Sequence, residues 1–221
     1  AYPLPLFVVV AMVGWLYSTG APLGISLVIF DKDGTLLDFD RTWLPGLRAT
    51  AAAVASEAGE PALEPALLKV GGWIEEEGVP PRLAHDGLMM QGTLEQLARE
   101  WVETQPIVAA RWEGTEGEAE LCALMRRISQ EATVRDAAPL GEVRPALERL
   151  RAAGLKLAVV TNDDEASCRA QLGALGWTEL FDSVIGADSG HGAKPDSSGV
   201  TRDATHTFSS SSRLCPCTVE T

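Results

Sequence analysis

Residues 25–35 read ISLVIFDKDGT, and this stretch decides the fold. Its first part, residues 25–30, is a short apolar run with β-branched residues, which is typical of a strand buried on both faces. Two similar runs follow much later in the chain, LKLAVV at 155–160 and FDSVI at 181–185. Helical patterns separate these runs, so the sequence predicts an α/β fold built on a parallel sheet.

The segment after the first strand is long and reads as helical. Residues 47–58, 94–102 and 118–128 carry helical patterns, with Gly and Pro between them and few strand signals. Further on, Pro145 and Gly154 are expected to begin and end a helix, and Asp163 or Asp164 to cap another that runs to about residue 175. The sequence therefore predicts an α/β core, at 25–38 and 139–196, with an all-helical insert at 39–138.

Polar residues follow each of the three predicted strands. In open parallel sheets, ligands bind beyond the carboxyl ends of the strands, so these residues are the candidate site. They are Asp31, Asp33 and Gly34 after the first strand, Thr161 and Asn162 after the second, and Lys194 after the third.

Side chains alternate along a strand, so Asp31 and Asp33, two residues apart, are expected to face the same side if the extended backbone persists that far. Carboxylates placed side by side repel one another. At 4 Å and an effective dielectric near 20, a like-charged pair costs roughly 4 kcal/mol. A hard cation such as Mg²⁺ and the Lys194 ammonium would offset this cost and allow a phosphate to bind. Gly34 permits a sharp turn that brings backbone N–H groups close to an anion. One carboxylate could then attack phosphorus while the second serves as general acid and base.

Other interpretations of these residues exist. Asp31 to Thr35 resembles the start of a calcium loop, but the positions that such a loop reserves for Gly and Glu hold Leu36 and Thr42, and a strand precedes it. An acidic turn without function is a second alternative. Thr161 alone would be a residue at a helix start, and Lys194 alone a solvated loop lysine.

Composition narrows the classes of partner. The 221 residues hold 18 Lys plus Arg against 31 Asp plus Glu, a net charge of −13, which disfavours nucleic-acid binding. A hydrophobic fraction of 46% and a charged fraction of 22% are those of a globular protein. Four cysteines are too few and too unevenly spaced for a disulfide framework, so the cytoplasm is the expected compartment. The expected partner is a small phosphorylated metabolite.

The two ends of the chain differ from the middle. Residues 1–24 are apolar and uncharged, so a targeting or anchoring segment and a non-native N-terminus are both open interpretations. Residues 197–221 include 11 Ser or Thr among 25 and are expected to be disordered. Cys215 and Cys217 within this tail could bind a soft metal, but no further ligands lie at suitable spacing.

The motifs together resemble the haloacid dehalogenase-like superfamily, specifically its phosphoglycolate-phosphatase-like hydrolases with a helical cap. The resemblance rests on LVIFDKDGTLLDFDRTW (27–43), LAVVTNDDEASCRAQLGALG (157–176) and FDSVIGADSGHGAKPD (181–196).

This resemblance implies a role for each candidate residue. Asp31 would be the nucleophile and Asp33 the general acid/base, and both would hold Mg²⁺, Asp33 through its carbonyl oxygen. Thr161 and the Asn162 N–H would bind phosphoryl oxygens, and Lys194 would steady phosphate and nucleophile. The insert would be the cap that closes over the site and selects the substrate, for which phosphoglycolate is the best single expectation.

One family feature is missing from the sequence. The family's fourth motif is an acidic strand end about 30 residues beyond the lysine, and nothing matches it here. The resemblance is expected to stop at Asp196, as in a truncated, frame-shifted or mis-spliced product. An open sheet edge beside the first strand and a weakened metal site would follow. An impaired or inactive remnant and a phosphosugar mutase of the same family are therefore alternatives.

Overall fold

A computed structural model describes residues 27–190 of the chain. The described residues divide into two units, one formed by 27–37 and 139–190 and the other by 38–138. In chain order the strands and helices are β1 (Leu27–Phe30), α1 (Phe39–Glu57), α2 (Glu64–Val70), β2 (Trp73–Glu76), β3 (Val79–Leu83), α3 (Leu88–Gln91), α4 (Leu94–Thr104), α5 (Pro106–Trp112), α6 (Gly114–Arg135), α7 (Val143–Ala152), β4 (Lys156–Val160), α8 (Glu165–Ala174) and β5 (Ser183–Ile185). Short 3₁₀ turns span Pro61–Leu63 and Thr178–Leu180.

The first unit is built on a parallel sheet with the strand order β1-β4-β5. Phe30 lies opposite Val159 and Val160 lies opposite Ile185, so all three strands end at the same edge. Successive side chains of a strand alternate between the two faces of the sheet, and here both faces are buried. Val28 belongs to one apolar cluster and Ile29 to another. The predicted α/β fold with a parallel sheet is confirmed.

Two helices of this unit differ in detail from the prediction. Helix α7 begins at Val143, two residues before Pro145, and ends at Ala152, close to the predicted Gly154. Asp164 is the residue before the first turn of α8, as predicted, but its side chain makes no capping hydrogen bond. The predicted cap by the Asp164 side chain is therefore wrong; the Glu165 N–H in the first turn donates to Asp188 Oδ1 of the loop after β5, at 2.8 Å.

The second unit is mainly helical and has its own apolar core. Buried Trp101, Trp112 and Met125 lie at its centre. The Trp101 indole Nε1–H donates to the Leu67 carbonyl oxygen at 3.1 Å, so this buried ring keeps its polar atom satisfied. These contacts tie α4 to α2.

The expectation that this unit contains only helices is wrong. Strands β2 and β3 form an antiparallel pair, with Glu76 opposite Val79 and Glu77-Gly78 as a two-residue turn. Gly78 has φ +77°, the left-handed conformation that tight hairpin turns require. The strand after the turn contains Pro80 and Pro81, and proline is generally a signal against a strand. Those two prolines hide the hairpin from sequence patterns.

Several expectations concern residues outside the described range. They are the apolar segment 1–24, Lys194, and the Ser/Thr-rich tail 197–221 with Cys215 and Cys217. The open sheet edge beside β1 also stays a prediction, although β1 and β5 are the two outer strands of the sheet within 27–190. Within the same residues, no helix combines the length and the apolar composition needed to cross a bilayer.

Candidate active site

A tight turn follows β1 and contains the first candidate motif. The Lys32 carbonyl oxygen accepts hydrogen bonds from the N–H groups of Leu36 at 2.8 Å and Leu37 at 2.9 Å. The strand therefore ends at Phe30 and does not continue to Asp33, so strand alternation does not set the relation between the two acids. Gly34 has φ +76°, and its N–H donates to the Leu37 carbonyl oxygen at 2.8 Å. Gly34 thus shapes the turn, and its predicted phosphate contact stays a prediction.

Asp31 is the first residue after β1 and is partly exposed. Its Oδ1 accepts a hydrogen bond from the Lys32 backbone N–H at 2.8 Å, which orients the carboxylate at the strand end. A partly exposed carboxylate held at the ligand-binding edge of a parallel sheet can meet a substrate from solvent. Asp31 therefore lies at the ligand-binding edge, and its role as nucleophile stays a prediction.

Lys32 forms the centre of a buried polar cluster. Its side chain is 0% exposed, and Nζ lies 3.1 Å from Asp33 Oδ2 and 2.6 Å from Asp163 Oδ2. Nζ also donates to Gln171 Oε1 at 2.5 Å. Asp33 follows β1, Asp163 follows β4 and Gln171 lies on α8, so one ammonium joins the ends of two neighbouring strands to a helix. The structure thereby brings the first and second predicted motifs together.

The charge of Lys32 is secured by its neighbours. Burial by itself lowers the pKa of the ammonium, but the Asp33 and Asp163 carboxylates outweigh burial and raise the pKa above its ordinary value of 10.5. Lys32 is therefore a cation throughout the neutral pH range. Burial also raises the pKa of the nearby Cys168 thiol, to about 12, and this keeps the thiol protonated and neutral. Cys168 is thus a packed core residue and not a reactive thiol.

The second motif follows β4. Thr161 is 3% exposed, and its backbone N–H donates to the Ile185 carbonyl oxygen at 2.9 Å. Thr161 Oγ1 accepts from the Asp163 N–H at 3.1 Å, while Asn162 between them is exposed. Asp163 Oδ1 accepts in turn from the Asp164 N–H at 2.8 Å. The hydroxyl and the carboxylate therefore hold a compact turn at the strand end, with Asn162 at its tip.

The loop after β5 packs against this turn. The Ala187 N–H donates to the Asp163 carbonyl oxygen at 3.0 Å, and the Gly186 N–H donates to Ser189 Oγ at 3.0 Å. The Ser189 hydroxyl donates to Glu165 Oε2 at 2.7 Å, and this bond together with Arg169 lowers the pKa of Glu165. The loop leads toward Lys194, which lies outside the described residues.

The oxygen donors at this edge suit a hard divalent cation. Within 27–190, no group of three His, Cys, Asp or Glu side chains is placed to hold a metal ion. Mg²⁺ is commonly held by one or two carboxylates, substrate oxygens and several waters, so it needs no such group. The Asp31 carboxylate and the Asp33 backbone carbonyl are donors of that kind. The residues present therefore fit the ion that the sequence predicts.

Sequence reasoning missed the cluster around Lys32. A lysine between two aspartates directly after an apolar strand indicates that it pairs with one of them, so this contact could have been predicted. The contacts with Asp163 and Gln171 could not, because these residues are separated from Lys32 by 131 and 139 residues. Helical spacing places Gln171 on α8 but does not show which side of the sheet it reaches.

Known proteins resemble this chain in sequence and in fold. A family model described as haloacid dehalogenase-like hydrolase matches residues 25–202, so the similarity runs past Asp196, where we expected it to end. A phosphatase of Mycobacterium tuberculosis is 31% identical over 185 residues, which cover 79% of this chain and 69% of that protein. A phosphoglycolate phosphatase of Cereibacter sphaeroides is 31% identical over 174 residues, covering 76% and 66%. The chain thus spans about two thirds of the length of these relatives.

A solved structure shows the same fold. The crystal structure of a predicted phosphoglycolate phosphatase from Haemophilus somnus matches with a TM-score of 0.58 and 20% identity, over 83% of this chain and 72% of that one. At 20% identity, the match shows a shared arrangement of strands and helices and nothing about function.

Proposed function

The chain belongs to the haloacid dehalogenase-like hydrolase family, and on this premise we propose that it hydrolyses a small phosphomonoester through an aspartyl phosphate. One observation carries the proposal. The acids Asp31 and Asp33 after β1 and the polar turn from Thr161 to Asp163 after β4 lie at one edge of the sheet, joined through Lys32. Open parallel sheets bind ligands at this edge.

In the proposed first step, a carboxylate oxygen of Asp31 attacks phosphorus and the bond from phosphorus to the ester oxygen breaks. The electron pair of that bond stays with the leaving oxygen, which takes a proton from the Asp33 carboxyl group. The products are the alcohol and an acyl phosphate on Asp31. Covalent catalysis of this kind divides one difficult displacement into two easier ones.

In the second step, the Asp33 carboxylate takes a proton from a water molecule as that water attacks phosphorus. The bond to the Asp31 oxygen breaks, inorganic phosphate leaves, and both acids regain their starting protonation states. One residue acts as acid and then as base, which is why a carboxyl group within hydrogen-bond reach of both oxygens is needed.

The remaining candidate residues bind charge in this proposal. Thr161 Oγ1 and the Asn162 N–H would hold phosphoryl oxygens, and Lys194 would neutralise part of their charge. Mg²⁺, held by the Asp31 carboxylate and the Asp33 carbonyl, would supply positive charge to the phosphoryl group. The unit at 38–138 would act as the cap that selects the substrate. The cytoplasmic location expected from the sequence stays a prediction.

Phosphoglycolate is the proposed substrate. The 31% identical phosphoglycolate phosphatase of Cereibacter sphaeroides supports this choice. Phosphoglycolate has an alkyl leaving group of high pKa, so its cleavage depends on the proton that Asp33 would provide.

The test is the release of inorganic phosphate by the purified full chain. We expect release from phosphoglycolate and from an aryl phosphate with Mg²⁺, and loss of that release when EDTA removes the metal. Isomerisation of a phosphosugar without free phosphate would instead favour the mutase alternative. A folded protein that releases no phosphate from any small monoester would contradict the proposal and support an inactive remnant.

A further inference from the structure

We propose that Lys32 is a positioning residue for Asp33, holding the carboxyl group that donates the proton to the leaving oxygen. This inference rests on the proposed function, since it assigns Lys32 to the proton-transfer part of that reaction. Lys32 itself touches no reacting atom in the proposal. It acts through the contact between its Nζ and Asp33 Oδ2, which are 3.1 Å apart.

The ammonium contacts Asp33 through Oδ2, and the proposal assigns the transferred proton to the other oxygen of that carboxyl group, Oδ1. A lysine Nζ carries three N–H donors, and here Asp33, Asp163 and Gln171 provide acceptors at 3.1, 2.6 and 2.5 Å. Two of these partners lie on other elements, the loop after β4 and helix α8. Because those elements fix the ammonium and it is fully buried, Asp33 is tied to the sheet and the helix and not only to its own turn.

The burial of Lys32 calls for a reason other than stability. Removing an ammonium from water costs several kcal/mol, and replacing a buried ion pair with apolar residues is often neutral or stabilising. An apolar residue in place of Lys32 alone would avoid that cost but would leave the Asp33 and Asp163 carboxylates without their counter-charge. A lysine that joins two carboxylates at a ligand-binding edge is instead suited to orienting one of them.

The Lys32 cluster also explains how the Asp33 and Asp163 carboxylates can lie near each other. Asp33 and Asp163 both point a carboxylate oxygen at one cation, and their side chains are 19% and 13% exposed. Without the cation, like charges at such distances repel by several kcal/mol. Asp33 would then turn away from Asp163 toward solvent. The predicted result of losing Lys32 is thus a misplaced proton donor with the Asp31 nucleophile intact.

Leaving-group dependence separates this role from a structural one. The oxygen of an alkyl phosphate leaves as a strongly basic alkoxide unless it is protonated, whereas 2,4-dinitrophenolate leaves without a proton. The ratio kcat/KM reports the steps up to the departure of the leaving group, so it isolates the step in which Asp33 donates. A general loss of structure would lower kcat/KM for both esters by the same factor.

The experiment compares wild-type protein with Lys32→Met on phosphoglycolate and on 2,4-dinitrophenyl phosphate. Met keeps the length of the side chain and removes the charge. We expect kcat/KM for phosphoglycolate to fall by about 10²–10⁴, the usual contribution of a general acid. For the dinitrophenyl ester we expect a fall below about tenfold, since that ester needs no proton. The variant should also show a burst of dinitrophenolate close to the enzyme concentration, because Asp33 serves as base when the acyl phosphate hydrolyses.

Gln171→Leu provides a second variant should Lys32→Met fail to fold. It removes one anchor of the ammonium and keeps both acids, so we expect the same selective loss at smaller size. If both esters were slowed equally in the folded variants, the role of Lys32 would be overturned. The proposed function would still stand in that case, provided that the wild-type protein hydrolyses both esters. If wild-type protein cleaved neither ester, the proposed function itself would fail.

Discussion

Substituting Gly186 with Ala tests whether the loop after β5 sets the position of the turn after β4, which is proposed to bind phosphate. A Cβ atom at residue 186 would overlap the backbone nitrogen of Glu165 and would lie 2.7 Å from the carbonyl oxygen of Asp163. Real Cβ atoms essentially never lie closer than 3.0 Å to such atoms. These two neighbours are backbone atoms, so no side-chain rotation can relieve their overlap, although the Asp188 side chain, whose Oδ1 also lies 2.7 Å away, could rotate.

The size of the effect follows from this geometry. The backbone of residues 163–165 and that of the loop must move apart by about 1 Å, and a displacement of that size near the reacting centre costs on the order of 100-fold in rate. Forcing a methyl group into a packed site also destabilises by about 1–3 kcal/mol. Because Thr161 Oγ1 bonds to the Asp163 N–H, the displacement reaches the residue predicted to bind phosphate.

The assay measures kcat for phosphate release from phosphoglycolate and the free energy of unfolding in urea. Gly173→Ala is the matched control. Gly173 lies in helix α8, and a Cβ atom there would meet only Thr178 Oγ1, at an ordinary contact distance of 3.6 Å. That control should keep its activity, and its free energy of unfolding should rise by roughly 0.5–1 kcal/mol, since Ala suits a helix better than Gly. Wild-type kcat and stability in Gly186→Ala would refute the reasoning.

Three further predictions concern stability. The buried Cys168 thiol, with a pKa near 12 against an ordinary 9.0, keeps its proton in the folded chain while the unfolded chain loses it, so stability should fall between pH 9 and 10.5 by about 1.4 kcal/mol per pH unit. Urea titrations should show this slope reduced in Cys168→Ala and less affected in Cys122→Ala; identical slopes in wild type and Cys168→Ala would contradict the assignment. Trp101→Ala should lower the unfolding free energy by about 3–5 kcal/mol, because it empties the centre of the 38–138 unit, and a loss below about 1 kcal/mol would contradict that placement. Asp38→Ala removes the side-chain acceptor for the Arg41 N–H at the start of α1 and should cost about 1 kcal/mol in thermal unfolding, whereas an unchanged midpoint would show that the cap contributes nothing.

The three strands and their parallel pairing were accessible from sequence because their signals are local. A strand buried on both faces favours an apolar run, and within the observed strands residues 27–30, 157–160 and 184–185 are apolar. The edge that binds ligands follows from parallel pairing, so the places of Asp31 and Thr161 could be predicted as well. The β2-β3 hairpin could not, because Pro80 and Pro81 give its second strand the local signature of a loop.

The fine structure of the site depends on contacts that local patterns do not encode. The Lys32 side chain finds Asp163 and Gln171 across more than 130 residues of chain. The spacing of acids after β1 suggested that strand geometry would align Asp31 with Asp33. Instead the backbone turns at Lys32, whose carbonyl oxygen accepts hydrogen bonds from several N–H groups, and the buried Lys32 ammonium lies 3.1 Å from Asp33 Oδ2.

The most direct test of the account is the phosphatase activity of Asp31→Asn, which changes one oxygen to nitrogen and removes the nucleophile. With Mg²⁺ and phosphoglycolate, the folded variant should lose activity by at least about four decades, because uncatalysed phosphate monoesters hydrolyse extremely slowly. Acid-quenched wild-type protein should carry phosphate on Asp31, and the variant should carry none. Full activity in a folded Asp31→Asn protein, or phosphate found on another residue, would contradict the assignment of Asp31.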